Sequence, residues 1–361
     1  MYNNYGQYGG QMPDVQPTPP PYYHPTDYVF PEEKKKIRKN YNSIGITLLC
    51  YYIIGLIVFY VTFFIILETG YETAYDDDGT MIAGLVEVTL GTWIFALTGM
   101  AVFAGHCIFT RYNPKEIFRT ERIKAGEVVK YILIALCFQR VSMICTIFIT
   151  LFLDSVGLEV TAFDYSVSHD PYTYASSFIS SVILAPIGEE LIFRGVVLRS
   201  SAKVSGRFAI FFSAFMFGLM HGNPYQFVLG FLLGIPLAMI TLKTGSIIPA
   251  IICHMANNLS VEIISIVGYF DEPMANILNL LSIPVFIVIG IIILANMIPK
   301  GEIQLPPYTE RHRKRTFPIM ITSWSMILIT IFYIIDTIGS LGFVDYSAEE
   351  AITEAMHILV K

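Results

Sequence analysis

The sequence predicts an all-α, polytopic transmembrane helical bundle of eight or nine spans. Of its 361 residues, 54% are hydrophobic and only 14% are charged, and the mean hydropathy is +0.58. A soluble globular protein usually has about 25% charged residues. This composition excludes an ordinary soluble domain, and the length accommodates eight or nine apolar segments of roughly 20 residues each.

Nine apolar segments are candidates for membrane spans. Their predicted bounds are 42–67, 81–109, 128–153, 177–198, 208–221, 225–242, 246–267, 277–298 and 318–338. The fifth segment is short, so the alternative is eight spans with 208–221 not fully crossing the bilayer. Gly230 and Gly234 form a GxxxG pattern on the sixth segment and predict a close contact between helices.

The chain divides into four predicted regions. Residues 1–40 form a disordered cytoplasmic tail with a basic arm, because residues 1–33 are rich in Tyr, Pro, Gln and Gly. Residues 41–176 contain N-terminal membrane helices, 177–268 contain the chemically distinctive helices, and 269–361 contain C-terminal helices and a tail. The five cysteines form no CxxC pair, and we interpret them as small apolar side chains.

Loop charge predicts the orientation of the chain. Basic residues occur before the first span and after the second, fourth, sixth and eighth: Lys34, Lys35, Lys36, Arg38, Lys39, Arg111, Lys115, Arg119, Arg122, Lys124, Arg199, Lys203, Arg207, Lys243, Arg311, Arg313, Lys314 and Arg315. The intervening loops are acidic. By the positive-inside rule, the N-terminus is cytoplasmic and the C-terminus lies outside, in a cell membrane.

The stretch GEELIFRG, at residues 188–195, places three charges inside the fourth apolar segment. Each charge costs about 2.5–3.5 kcal/mol at the bilayer centre. Glu190 and Arg194 lie about 40° apart on a helix and can pair, whereas Glu189 lies about 100° from Glu190 and is left over. Pro186, one turn earlier, is expected to kink the helix or open its hydrogen-bond ladder.

Two other segments contain histidine motifs. The fifth ends in FGLMH, with Phe217 four residues before His221, and the seventh contains HMANN, with His254 four residues before Asn258. Helix rise places Glu189, His221 and His254 roughly 15–21 Å from the cytoplasmic ends of their segments. These groups therefore meet in one buried layer if the three helices pack together.

Such a chamber has the groups needed for amide hydrolysis. A carboxylate with a raised pKa takes a proton from water, and an amide and an imidazole stabilise the developing oxyanion. Glu189, His221 and His254 are also candidate ligands for a divalent metal such as zinc, although the HExxH motif is absent. The cofactor stays undetermined at this level.

The three motifs, EExxxR at 189–194, FxxxH at 217–221 and HxxxN at 254–258, resemble those of the CPBP intramembrane protease family. That family includes type II CAAX prenyl endopeptidases and bacterial Abi or bacteriocin-immunity homologues. The resemblance implies a helical bundle whose chamber opens to the cytoplasm.

In that family pattern, the catalytic set is Glu189, Glu190, His221, His254 and Asn258, with Arg194 in support. Glu189 activates water together with His221, while His254 and Asn258 stabilise the oxyanion. The resemblance leaves both a metal-dependent and a metal-free glutamate mechanism open. The implied partners are the lipid bilayer and a peptide or protein substrate, with lipid modification as an open alternative; no nucleic acid is expected.

Two other functions remain alternatives. Ionisable groups inside a membrane also serve as ion relays in transporters, and the second alternative is a non-catalytic membrane partner, such as an immunity protein that binds a toxin. Arg140 in the third segment and Glu87 in the second are a further candidate pair. A structural ion pair is one interpretation, and a site where Arg140 binds a substrate carboxylate is the other.

Overall fold

A computed structural model describes residues 31–68, 74–75, 81–83, 93–161, 165–167, 171–203, 205–303 and 317–343. The predicted disordered tail up to residue 30, and Glu87, lie outside these residues. The first helix, α1, is Pro31–Glu68, so the basic arm assigned to the tail is helical. Proline at the first position and Glu32 and Glu33 in the first turn favour this helix start.

The helices are numbered in chain order. They are α2 (Ile94–Thr110), α3 (Ala125–Ser155), α4 (residues 171–202), α5 (Gly206–Leu219), α6 (Pro224–Thr244), α7 (Ile248–Phe270), α8 (Glu272–Met297) and α9 (Trp324–Gly339). A 3₁₀ turn, Pro114–Ile117, follows α2. Within α4, the π-helical segments Ile179–Leu184 and Leu191–Leu198 alternate with the α-helical segments Pro171–Phe178, Ala185–Glu190 and Arg199–Ala202.

Five short strands lie between helices. They are β1 (Ala74–Tyr75), β2 (Met81–Ala83), β3 (Leu158–Val160), β4 (Tyr165–Val167) and β5 (Leu341–Phe343). β2 pairs antiparallel with β1 and parallel with β4, and β3 pairs antiparallel with β5. The two small sheets pair short stretches of chain that lie outside the helices. The fold is a helical membrane bundle, as predicted.

Five helices in the described part of the chain are long and apolar enough to cross a membrane: α1, α3, α6, α7 and α8. α2, α5 and α9 are apolar but shorter. α5 has 14 residues, about 21 Å of helix, against a hydrocarbon core of about 30 Å. The fifth segment is therefore a short helix, as predicted, and its length is less than the thickness of the hydrocarbon core.

Two predicted span bounds are wrong. The second segment was expected to be helical from Met81, but Met81–Ala83 is strand β2 and α2 begins at Ile94. The error arises because an apolar run alone does not distinguish strand from helix. The segment predicted at 318–338 is interrupted before Trp324, where the Ser323 hydroxyl and amide donate to the carbonyls of Ile319 and Met320.

α4 lies at the centre of the bundle. It contacts α2, α5 and α7; α1 and α9 pack together on one side, and α3 packs against α6, α7 and α8 on the other. The predicted GxxxG contact is confirmed: a Cβ on Gly230 would lie 2.9 Å from Gly218 Cα, and one on Gly234 would lie 2.8 Å from Ala214 Cα. Backbones of α5 and α6 therefore approach directly, which positions the FxxxH segment beside α4.

Candidate active site

The helix that contains the GEELIFRG stretch has an altered hydrogen-bond ladder. The Ala185 N–H donates to the Ser180 carbonyl, five residues earlier. In this π pattern the donor for the Ser181 carbonyl would be the N–H of residue 186, which is proline and has none. π-helical turns inside α-helices occur frequently at functional sites, and here they lie on both sides of Glu189 and Glu190.

Glu190 and Arg194 form the predicted pair. Arg194 Nη1 lies 2.9 Å from Glu190 Oε1, and both side chains are fully buried. Arg194 Nη2 also donates to the Gly234 carbonyl of α6 at 3.3 Å. Its guanidinium carbon lies 4.5 Å from the centre of the Phe217 ring. Through Arg194 the pair therefore contacts both α5 and α6.

His254 of α7 joins this pair. Its Nδ1 lies 3.0 Å from the same Glu190 Oε1 that accepts from Arg194. A carboxylate in contact with a guanidinium only accepts hydrogen bonds, so we assign the proton to His254 Nδ1. The other ring nitrogen, Nε2, then has a lone pair.

Glu189 lies on the other side of His254. Its Oε2 is 3.7 Å from His254 Nε2, and its side chain is 17% exposed, in contrast to the fully buried Glu190. The sequence-based geometry that separates a paired Glu190 from an unpaired Glu189 therefore agrees with the structure. Glu189 is the accessible carboxylate of the two.

His221 approaches the cluster through Phe217. His221 Nδ1 lies 2.8 Å from the Phe217 carbonyl, four residues earlier. The Phe217 ring stands edge-on to both imidazoles, with centroids 5.1 Å from His221 and 5.6 Å from His254. Among the described residues, the carboxylate of Glu189 approaches the imidazole of His254, at 3.7 Å, and has no ion-pair contact with His221, so the family-implied Glu189–His221 partnership is not a direct contact here.

Asn258 connects α7 to the altered ladder of α4. Its Nδ2 donates to the Ser181 carbonyl at 2.8 Å, the carbonyl that Pro186 cannot satisfy. Its Oδ1 accepts from Asn257 Nδ2 at 3.2 Å. One N–H of the Asn258 amide is therefore committed to the backbone, and the second remains for another acceptor.

The candidate metal ligands do not form a complete set. Within the described ranges, no three His, Cys, Asp or Glu side chains lie close enough to hold a metal ion together. Glu189 Oε2 and His254 Nε2 lie 3.7 Å apart, but in the described part of the chain His221 does not complete a group of three with them. The residues present therefore do not fit a three-ligand zinc site.

Two features of the site escaped sequence reasoning. Phe217, which belongs to the FxxxH motif, contacts Arg194, His221 and His254 and was not assigned to the site. Gly188 has no room for a side chain, because a Cβ there would lie 2.6 Å from the Ala96 carbonyl oxygen of α2. The only sign of this close approach in the sequence was a glycine, Gly188, directly before the two glutamates.

Comparisons with known proteins agree with the motifs. Residues 171–260 match the family described as type II CAAX prenyl endopeptidase Rce1-like. No curated protein and no solved structure matched the chain in the corresponding searches. The matched segment contains all three motifs, with α4, α5 and α6 complete and the first half of α7. Residues 171–260 of this membrane protein are therefore similar to the type II CAAX prenyl endopeptidases, in agreement with the resemblance of the three motifs.

Proposed function

We propose that this protein hydrolyses a peptide bond with a water molecule activated by Glu189 in a chamber inside the membrane. The observation that supports this proposal is the chain of contacts from Arg194 through Glu190 and His254 to Glu189. It leaves one accessible carboxylate facing one unprotonated imidazole nitrogen.

The arrangement of acceptors favours a water molecule between Glu189 and His254. Glu189 Oε2 and His254 Nε2, 3.7 Å apart, both present lone pairs when the carboxylate is ionised and Nδ1 holds the proton. A water molecule that donates one hydrogen to each would satisfy both groups. Its oxygen lone pair would then point away from them, towards a substrate carbonyl.

The proposed reaction balances as a simple hydrolysis. Glu189 takes a proton from water as the water oxygen bonds to the carbonyl carbon, and the carbonyl becomes a tetrahedral oxyanion. The carbon–nitrogen bond then breaks as protonated Glu189 returns the proton to the leaving nitrogen. The products are a carboxylic acid and an amine, and Glu189 is ionised again.

We assign oxyanion stabilisation to Asn258 and proton handling to His221. The second N–H of the Asn258 amide, beside the one that binds Ser181, is a suitable oxyanion donor. The hydrogen bond from His221 Nδ1 to the Phe217 carbonyl leaves His221 Nε2 as a base. That nitrogen can pass on to the leaving nitrogen the proton that Glu189 returns.

The proposed substrate is a peptide or protein with a lipid modification presented from the bilayer. The matched family is named for prenylated substrates. In addition, α5 borders an apolar cavity of about 620 Å³ between α6 and α9. Its lining includes Phe208, Phe211, Phe212, Phe215 and Phe231. An isoprenyl chain matches this surface in polarity.

The experiment is a cleavage assay with purified protein in liposomes. We would offer prenylated CAAX peptides, their unprenylated counterparts and small hydrophobic peptides, with and without a chelator. Glu189→Gln should abolish cleavage. Glu262→Gln, the control, removes a carboxylate from α7 instead of α4 and should retain cleavage. The chelator arm tests a metal requirement independently.

Two results would contradict the proposal. One is cleavage by Glu189→Gln at the wild-type rate in correctly folded protein. The other is ion flux through liposomes that is lost in Glu189→Gln while no peptide is cleaved, which would favour transport. Protection against a toxin that survives Glu189→Gln would instead favour a non-catalytic immunity role.

A further inference from the structure

A second buried charge lies outside the cluster of Glu189, Glu190, Arg194 and His254. Arg140 is the central residue of α3 and is only 2% exposed. Its Nη1 contacts Asn279 Oδ1 at 3.0 Å and Met143 Sδ at 3.1 Å. Its guanidinium carbon lies 5.9 Å from the centre of the Phe286 ring. All of these neighbours are uncharged.

The guanidinium of Arg140 has unused hydrogen-bonding capacity. Its Nε is buried and has no hydrogen-bond partner. In the part of the chain that the structure describes, no carboxylate forms an ion pair with it. A cation at the centre of a membrane helix costs about 2.5–3.5 kcal/mol, and an amide oxygen and a thioether do not neutralise it. The site is thus complementary to an anion.

A row of polar groups on α7 reaches Gln139, the residue that precedes Arg140 on α3. Its neighbour Gln139 has Oε1 3.2 Å from the Ser260 hydroxyl of α7. The Ser260 hydroxyl also lies 2.7 Å from the Asn257 carbonyl, and Asn257 donates to Asn258. Asn257 Oδ1 is buried without a partner. These hydrogen bonds therefore link α7, beside the proposed reaction centre, to the residue that precedes Arg140 on α3.

The distance along α7 from the level of His254 to that of Ser260 corresponds to a few residues of extended peptide. His254 and Ser260 are six residues apart on α7, about 9 Å along the helix axis. Extended chain covers about 3.3–3.6 Å per residue. A substrate whose end lies at Arg140 would present a bond only a few residues from that end to Glu189.

We propose that Arg140 binds the terminal carboxylate of the peptide substrate. This inference rests on the proposed peptidase function and extends it by naming the group that sets the position of the cut. The planar guanidinium matches a carboxylate in shape and charge. Asn279 holds the guanidinium in place, and the unused Nε donates to the bound carboxylate.

The first experiment measures binding separately from hydrolysis. In the Glu189→Gln background, a fluorescent hydrophobic hexapeptide with a free carboxylate is compared with its carboxamide twin. Charge-assisted hydrogen bonds contribute about 1.5–3 kcal/mol, so the free acid should bind about 10–100-fold more tightly. Adding Arg140→Gln should remove this preference, and Arg140→Lys should keep part of it.

The matched control is Arg122→Gln, which removes an exposed cation from the loop before α3 and should leave the preference unchanged. The same peptide pair is then offered to catalytically active protein. Arg140→Gln should raise KM for the free acid and leave the amide nearly unaffected. A structural role for Arg140 would not produce this difference between two substrates.

Three outcomes would overturn the inference. The first is equal binding of acid and amide by protein with Arg140 intact, and the second is an equal loss of both peptides in Arg140→Gln. The third is recovery of Arg140→Gln stability on adding Glu87→Gln, which would assign Arg140 to a structural ion pair. Carboxylate-selective binding without cleavage would support Arg140 and contradict only the proposed hydrolysis.

Discussion

His254 Nδ1 lies 3.0 Å from Glu190 Oε1, the oxygen that also accepts from Arg194. Glu190 therefore positions the imidazole and neutralises a fully buried cation. Glu190→Gln leaves Arg194 without its counter-charge, and we predict a loss of about 3–5 kcal/mol in the free energy of unfolding. Thermal unfolding in detergent measures this loss.

The double variant Glu190→Gln with Arg194→Gln separates the effect of the charge pair on stability from its effect on the cleavage rate. Removing both charges should recover most of the stability, because no unpaired ion remains. Cleavage should stay about 10²-fold reduced, since an amide can donate as well as accept and no longer fixes the tautomer of His254 as the carboxylate does. An unchanged melting temperature in Glu190→Gln alone would contradict the role given to this pair.

Close backbone contact between α2 and α4 predicts a steric effect at Gly188. A Cβ at this position would meet the Ala96 carbonyl oxygen at 2.6 Å. We expect Gly188→Ala to cost about 1–3 kcal/mol and to lower cleavage by shifting Glu189. Gly105→Ala is the matched control on α2, because a Cβ there meets nothing within 4 Å; equal effects of the two substitutions would contradict the packing argument.

The bond from Asn258 Nδ2 to the Ser181 carbonyl predicts coupling with Pro186. In the native chain, Asn258→Ala leaves this carbonyl without a donor and should cost about 1–3 kcal/mol. In a Pro186→Ala background, residue 186 regains an N–H and the same substitution should cost less. A double-mutant cycle of unfolding free energies measures the difference. Strict additivity would show that Pro186 does not determine the role of Asn258.

A salt bridge after α8 predicts a pH dependence of stability. Lys130 Nζ lies 2.6 Å from Glu302 Oε2, and this hydrogen bond and charge hold the pKa of Glu302 below its usual 4.5. A lowered folded-state pKa stabilises the protein above 4.5, and this contribution is lost as pH falls through the folded value. Melting temperatures of wild type and Glu302→Gln should therefore differ at pH 7 and converge as the pH falls below the folded-state pKa of Glu302. Convergence should also occur in roughly 1 M salt, whereas a gap that persists at low pH would contradict this assignment.

The main features of the site could be predicted from the sequence because they depend on helix periodicity. The four-residue spacing of Glu190 and Arg194 determines their pairing, and hydropathy predicts the helices that position His221 and His254. Contacts between helices could not be predicted in this way. The Glu190–His254 bond depends on how α4 and α7 face each other, and spacing within one helix does not determine that orientation.

The backbone features were only partly predictable. Pro186 indicated a disturbed ladder, yet the π-helical form and the use of Asn258 as a substitute donor depend on the helix packed beside it. The start of α2 was missed because the apolar run from Met81 contains strand β2, which pairs with the two-residue strand β1 and with β4, more than 80 residues later in the chain. Pairing over such a distance leaves no local pattern.

The most direct test of the proposed reaction is a single turnover in water enriched in ¹⁸O, with excess protein over a peptide found to be cleaved. Attack by a water that Glu189 activates predicts one ¹⁸O atom in the new carboxylate during the first turnover. It also predicts a rate at least about 10²-fold lower in Glu189→Gln. A first-turnover product without ¹⁸O would indicate a covalent intermediate with the protein, and an unaffected Glu189→Gln rate would exclude Glu189 as the base; either result would contradict the proposed mechanism.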